Sequence, residues 1–188
     1  MDTTPITYID APVSGGKTGA INASITVMWS GSKTVLEELE PYLHSFAKSI
    51  IFIGKKPGQG QVMKACLQSL IGSIFSATFE AAALAAKAGL KGETLYNVFS
   101  TSGAGCGVSN TALENIIDRK FVGTGSHIST MHKDLTISLN LAKELGVPMH
   151  MSSTAMQLFQ AGKTRYPKGD NWAVTKIIEE IIGAELHR

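Results

Sequence analysis

The residues best suited to proton chemistry lie in Gly58-Gln59-Gly60-Gln61-Val62-Met63-Lys64-Ala65-Cys66-Leu67-Gln68. Two glycines loosen a loop and open a helix, and no charged residue follows from Ala65 to Phe79. Lys64 is a cation at the positive end of that helix, where the backbone dipoles repel it. The apolar run behind it also disfavours the ammonium form by desolvation. Both effects are expected to lower its pKa, which suits proton transfer near neutral pH. Gln68 lies one turn further on and shares a face with Lys64. The plainer alternative is a lysine that snorkels to water at the start of a buried helix.

Two other stretches could contribute. Asp10-Ala11-Pro12-Val13-Ser14-Gly15-Gly16 closes an expected strand with a hydroxyl and consecutive glycine amides. Such amides can form a concavity for a carboxylate, or simply an ordinary turn. Met131-His132-Lys133-Asp134-Leu135 puts Lys133 early in an amphipathic helix, where it could also be one charge on a solvated face.

Several tempting signals fail on spacing. Gly58-x-Gly60 follows a strand and opens a helix, but the third glycine of a dinucleotide fingerprint would fall at Met63. Gly103-x-Gly105-x-Gly107 follows a helix and has the wrong spacing, and Gly31-Ser32-Lys33-Thr34 lacks the glycine directly before a P-loop lysine. His127 and His132 lack a third metal ligand, so no metal is expected.

Positioning these residues takes two regions. The expected elements in the first are Ile6–Asp10 as a strand, Ser14–Gly16 as a flexible turn, Ser24–Trp29 as a strand, a helix capped by Ser32 and split at Pro41, and a short strand over Ile50–Ile53. From Pro57 the pattern is all helix. A long central helix over Gln61–Ala88, with a small-residue stripe of Ser69, Gly72, Ser73 and Ser76, ends at Gly89. Further helices are expected over Glu93–Phe99 (Leu95, Val98 and Phe99 inward), from Ser109 or Asn110 to Ile117, over Thr130–Leu145, over Met149–Ala161 ending at Gly162, and from an Asp170 cap to Ile182. In the last of these, Val174, Ile177, Ile178 and Ile181 form the core stripe. The fold class is therefore mainly α: an all-helical domain over 57–188, preceded over 1–56 by strands that read as the tail end of a larger α/β domain.

Composition limits the partners. The chain has 188 residues, 44% apolar and 17% charged, with a net charge of +2. No basic cluster exceeds Lys55-Lys56 and no aromatic platform is present, so nucleic acid is not expected. The uncharged stretch 65–79 is too short for a bilayer, so no membrane is expected either. Cys66 and Cys106 form no metal or redox spacing, and no signal peptide is seen, which points to a cytoplasmic setting.

Taken together and in order, these motifs resemble one family. DAPVSGG at 10–16, Gly-x-Gly-Gln-x-x-Lys at 58–64, Lys-Asp-Leu at 133–135 and GDNWAV at 169–174 are similar to the C-terminal portion of 3-hydroxyisobutyrate dehydrogenases. These are β-hydroxyacid dehydrogenases related to 6-phosphogluconate dehydrogenase. The resemblance implies that Ser14, Gly15 and Gly16 bind a substrate carboxylate, that Lys64 is the catalytic acid/base, and that Lys133 reaches toward an NAD or NADP cofactor. It also implies that the strands over 1–56 are the last strands of an incomplete Rossmann-type α/β domain, and it implies a small hydroxy-acid substrate and a homo-oligomer, a dimer or larger. Where the family usually has Asn one turn after the lysine, this chain has Gln68, an amide on a longer arm. 3-Hydroxyisobutyrate, threonate, erythronate and tartronate semialdehyde all stay open as substrates. With the cofactor half expected to be missing, this stretch by itself is expected to be inactive. The rival reading is a non-catalytic dimerisation or ligand-binding module.

Overall fold

The computed structural model describes residues 6–188. The chain divides into two compact units, residues 1–67 and 68–188. The division falls inside a helix, α3 (Gln59–Lys87), rather than at the expected boundary near 56. The reason is local: the first turn of α3 is tied to the strand unit.

The strand unit is a three-stranded sheet in the order β1 (Val13–Ser14), β2 (Ile25–Ser30), β3 (Ala47–Gly54). β1 pairs antiparallel with β2 through Val13↔Val27 and Ser14↔Thr26. β2 and β3 are parallel, so the chain must cross over between them, and α2 (Lys33–Leu43) makes the crossover. Ser32 caps α2 by accepting from the Val35 amide at 3.3 Å. Ile25, Val27 and Ala47 form a small core, with Ala11 and Ile50 packed against it.

Three expectations change in this unit. Ile6–Ile9 is not a strand, since only Asp10 bridges to Ser30; Ile6 and Tyr8 are largely exposed. The turn after Ser14 is instead a short helix, α1 (Gly16–Ile21). Pro41 does not split α2, because it lies in the last turn, where its missing N–H costs one bond near an end that is already fraying.

The helical unit is built around α3, with α4 (Gly92–Thr101), α5 (Gly107–Ile117), α6 (Ile128–Leu145), α7 (His150–Arg165), a 3₁₀ turn over Asn171–Val174 and α8 (Thr175–Ile182). Phe75, Phe79, Phe159 and Trp172 meet in its centre. Phe75 stacks on Phe79 at 6.0 Å and meets Trp172 edge-on at 5.8 Å. Within the small-residue stripe, Gly72 makes room for a side chain rather than for a neighbouring backbone: a Cβ there would come within 2.8 Å of Leu135 Cδ2 on α6. α3 as a whole, longer than the uncharged stretch 65–79, is long and apolar enough to cross a membrane by length and composition, yet Phe79, Ala82 and Ala83 are buried core residues.

Other differences follow from packing. α7 runs past Gly162, which is bare because Val174 Cγ2 would lie 2.7 Å from a Cβ there. Cys106, not Ser109 or Asn110, is the N-cap of α5; the Ser109 hydroxyl accepts from the Cys106 amide at 3.0 Å. Asp170 precedes the 3₁₀ turn but does not cap it with its side chain; the carboxylate accepts from the Thr124 amide and hydroxyl at 2.6 and 2.7 Å. Val98 and Ile181 face outward, 58% and 80% exposed, where inward positions were expected. On α8 the buried positions are Thr175 and Glu179, and Glu179 is held by Arg119 at 2.6 and 2.9 Å.

Candidate active site

The Gly58-x-Gly60 pair has a structural meaning of its own. Gly58 has φ +98°, a conformation that L side chains rarely adopt. Gly60 is buried, and a Cβ there would lie 2.6 Å from the Met28 carbonyl oxygen and 2.7 Å from Asp10 Oδ2. The start of α3 therefore packs directly on β2. A helix start leaves its first amides unsatisfied. Here Asp10 accepts from the Gly58 amide at 2.6 Å and from the Gln61 amide at 2.8 Å. The Ser30 hydroxyl accepts from the Gly60 amide at 3.0 Å and donates to Asp10 Oδ1. Asp10 and Ser30 are themselves joined by two backbone hydrogen bonds of 3.0 and 2.8 Å.

These bonds decide the electrostatics of Asp10. Partial burial works to raise its pKa, but the bonds from Ser30, Gly58, Gln61 and Gly60 outweigh this and hold the carboxyl below its ordinary value. They also occupy the amides that a dinucleotide pyrophosphate would need, so this glycine pair does not fit as a phosphate cradle.

Lys64 is half-buried, four residues after Gly60 and three after Gln61, so it rises from the same face one turn on. The Ser14-Gly15-Gly16 corner lies between β1 and α1 in the same unit. Gly15 and Gly16 have φ values of +135° and +60°, and a Cβ at Gly15 would come within 2.9 Å of Ile25 Cδ1. Both glycines are exposed, and nothing lies within 4 Å of where a Gly16 Cβ would stand, which leaves the Gly16 side of the corner open to an anion.

In the helical unit Gln68 and Lys133 are brought together by a residue the sequence reading gave no role, Asp134. Buried Gln68 donates from Nε2 to Asp134 Oδ2 at 2.5 Å, while Lys133 Nζ lies 2.7 Å from Asp134 Oδ1. The Lys133 side chain is 63% exposed, so its ammonium reaches outward from a buried carboxylate. A signal for Asp134 was available. It occupies a core position of the α6 stripe with Met131, Leu135 and Ser138, and an acid there needs a partner.

His127 caps α6 by accepting from the Ser129 amide at 3.2 Å, and His132 bonds Gln160 at 2.6 Å. Among the described residues no group of three or more His, Cys, Asp or Glu could hold a metal ion. A cavity of about 530 Å³ adjoins the start of α3, lined by Gly58, Gln59, Val62 and Met63, while cavities of about 310 and 600 Å³ lie elsewhere, beside Phe121 and Tyr166 and beside Glu179 and Gly183.

Comparison with known proteins gives two family matches. Residues 58–178 match the family described as NAD-binding of NADP-dependent 3-hydroxyisobutyrate dehydrogenase. Residues 1–54 match the NAD binding domain of 6-phosphogluconate dehydrogenase. L-threonate dehydrogenase of Escherichia coli (strain K12) is 36% identical over 174 residues, 92% of this chain and 57% of that protein. 2-(Hydroxymethyl)glutarate dehydrogenase of Eubacterium barkeri is 32% identical over 182 residues, covering 96% and 60%. The crystal structure of 3-hydroxyisobutyrate dehydrogenase from Salmonella typhimurium superposes with a TM-score of 0.85 at 32% identity, over 91% of this chain and 60% of that one. The chain thus spans less than two thirds of the length of these relatives.

Proposed function

The chain belongs to the 3-hydroxyisobutyrate dehydrogenase family, and on that premise we propose that the protein acts as an NAD- or NADP-dependent dehydrogenase of a small 3-hydroxy acid. The observation that carries this reading is Lys64. It is a half-buried amine one turn into a helix whose start is fixed on the sheet, within a chain that matches the family through residues 58–178. In alcohol oxidation Lys64 accepts the hydroxyl proton. In carbonyl reduction its ammonium form polarises the oxygen and returns the proton. The corner of Ser14, Gly15 and Gly16 receives the substrate carboxylate, with open space at Gly16. Gln68 adds a side-chain amide, oriented by its bond to Asp134.

The cofactor, when bound, supplies the hydride acceptor or donor. Among these residues Lys133 suits it best, as an exposed cation whose ammonium is held 2.7 Å from Asp134 Oδ1. The start of α3 contributes no phosphate site, because its amides are already used by Asp10 and Ser30. The principal cofactor contacts are assigned to a glycine-fingerprint half of the kind the family resemblance implies, distinct from the motifs read above. Exposed apolar side chains on the helical unit, among them Leu84, Met151 and Ile181, support a homo-oligomer.

The test is a panel of L-threonate, D-erythronate and 3-hydroxyisobutyrate, each with NAD and NADP, and of tartronate semialdehyde with NADH and NADPH, on the protein expressed from its complete reading frame. Turnover of at least one is expected, and silence across the panel would refute the reading. Titration of the 188-residue chain with NADH and NADPH should give weak binding. Tight binding would contradict the assignment of the main cofactor contacts elsewhere.

A further inference from the structure

Helix α3 begins without a local cap. Gly58 has no side chain to act as an N-cap, and the Gln59 side-chain oxygen accepts from the Lys56 amide at 3.2 Å, outside the helix. The acceptors come instead from far along the chain. Asp10 receives the Gly58 and Gln61 amides at 2.6 and 2.8 Å across separations of 48 and 51 residues. Ser30, which is fully buried, receives the Gly60 amide at 3.0 Å and spends its own proton on Asp10. Three of the four amides from Gly58 to Gln61 are thus held by two side chains locked to each other, and the fourth, of Gln59, bonds the Lys56 carbonyl.

We propose that Asp10, working through Ser30, is a positioning residue for Lys64: it fixes the height and rotation of the first turn of α3, and so the place where the lysine nitrogen meets the substrate. The inference rests on Lys64 being the acid/base. Lys64 leaves the helix three residues after Gln61, so a slip of the first turn carries its side chain along. Gly60 makes the fit close, because its Cα sits where any side chain would strike Met28 O and Asp10 Oδ2. Proton transfer needs hydrogen-bond distance, and a misplacement of about 1 Å can lower a rate roughly a hundredfold. The motif containing Asp10 therefore has two tasks. Its glycine end faces substrate, and its aspartate end aims the base.

The test measures kcat and KM for Asp10→Ala, Asp10→Asn, Ser30→Ala, Lys64→Ala and the double variant Asp10→Ala/Lys64→Ala in the full-length protein, with thermal unfolding of each. Asp10→Ala should lower kcat about ten- to a hundredfold with a much smaller change in cofactor KM, and Ser30→Ala should lower it several-fold. The double variant should be no slower than Lys64→Ala, since a residue that acts through the lysine has nothing left to act on. If Asp10→Ala does not fold, Ser30→Ala and Asp10→Asn carry the test. A dead Lys64→Ala beside folded Asp10 and Ser30 variants with wild-type kcat would overturn the positioning role and leave the lysine assignment standing. Additive losses in the double variant would overturn it too, by assigning Asp10 a merely structural role. An active Lys64→Ala would instead overturn the lysine assignment and the positioning role together.

Discussion

Replacing Gly60 with alanine tests the docking of α3 on the sheet most simply. In an uncrowded helix this exchange stabilises by up to about 1 kcal/mol, through helix propensity and a less flexible unfolded chain. Gly60 is not uncrowded. The new methyl would lie 2.6 Å from the Met28 carbonyl oxygen, 2.7 Å from Asp10 Oδ2 and 3.1 Å from Pro12 Cδ. Met28 cannot yield easily, since its amide bonds Pro12 and it pairs with Ile51 in β3. The helix start must withdraw, weakening the Gly60–Ser30 and Gln61–Asp10 bonds. Overpacking costs about 1–3 kcal/mol and loss of a cap about 1 more. Set against the propensity gain, the net loss is about 2 kcal/mol, or about 4–8 °C in the melting temperature of a chain of this size. Thermal unfolding followed by circular dichroism reads this directly. Gly103→Ala, with nothing within 4 Å of its Cβ, serves as the control and should shift little. A Gly60→Ala protein as stable as wild type, or more so, would refute the docking geometry.

Three further outcomes follow from the same structure. The Asp10 carboxyl is held below its ordinary value, so it stabilises the fold above the unfolded pKa of about 4, and that stability is lost as the pH falls through the folded value. In urea unfolding, the gap between wild type and Asp10→Asn should narrow as the pH is lowered below about 4; a gap independent of pH would contradict this. Arg119→Met strands Glu179, which is 4% exposed, and should cost about 3 kcal/mol in chemical denaturation; Arg119→Met/Glu179→Gln should recover part of the loss. The Cys106 thiol is held below its ordinary pKa, first by the Ser109 hydroxyl, so Ser109→Ala should slow its alkylation by iodoacetamide near neutral pH.

What could be read from the sequence was whatever depends on neighbours along the chain. The long α3, its stop at Gly89 and the room left at Gly72 follow from periodicity, from a left-handed glycine and from a stripe of small residues. So does the one-turn spacing of Lys64 and Gln68. What depends on distant partners was not legible. Gly162 looks like a helix stop but is a packing position for Val174, and Asp170 looks like a helix cap but bonds Thr124. The same blindness hid Asp10 and Asp134, whose partners lie 48 and 66 residues away. In both cases a local deficit was the available clue: a helix start without a cap, and an acid in an apolar stripe.

The central claim is that Lys64 moves the proton. Lys64→Ala, made in the full-length protein and assayed with its best hydroxy acid, measures this most directly when turnover and NAD(P)H binding are read on the same sample. Turnover should fall by at least about a hundredfold while cofactor affinity stays within a few-fold of wild type. Near-normal turnover in the alanine variant would contradict the account.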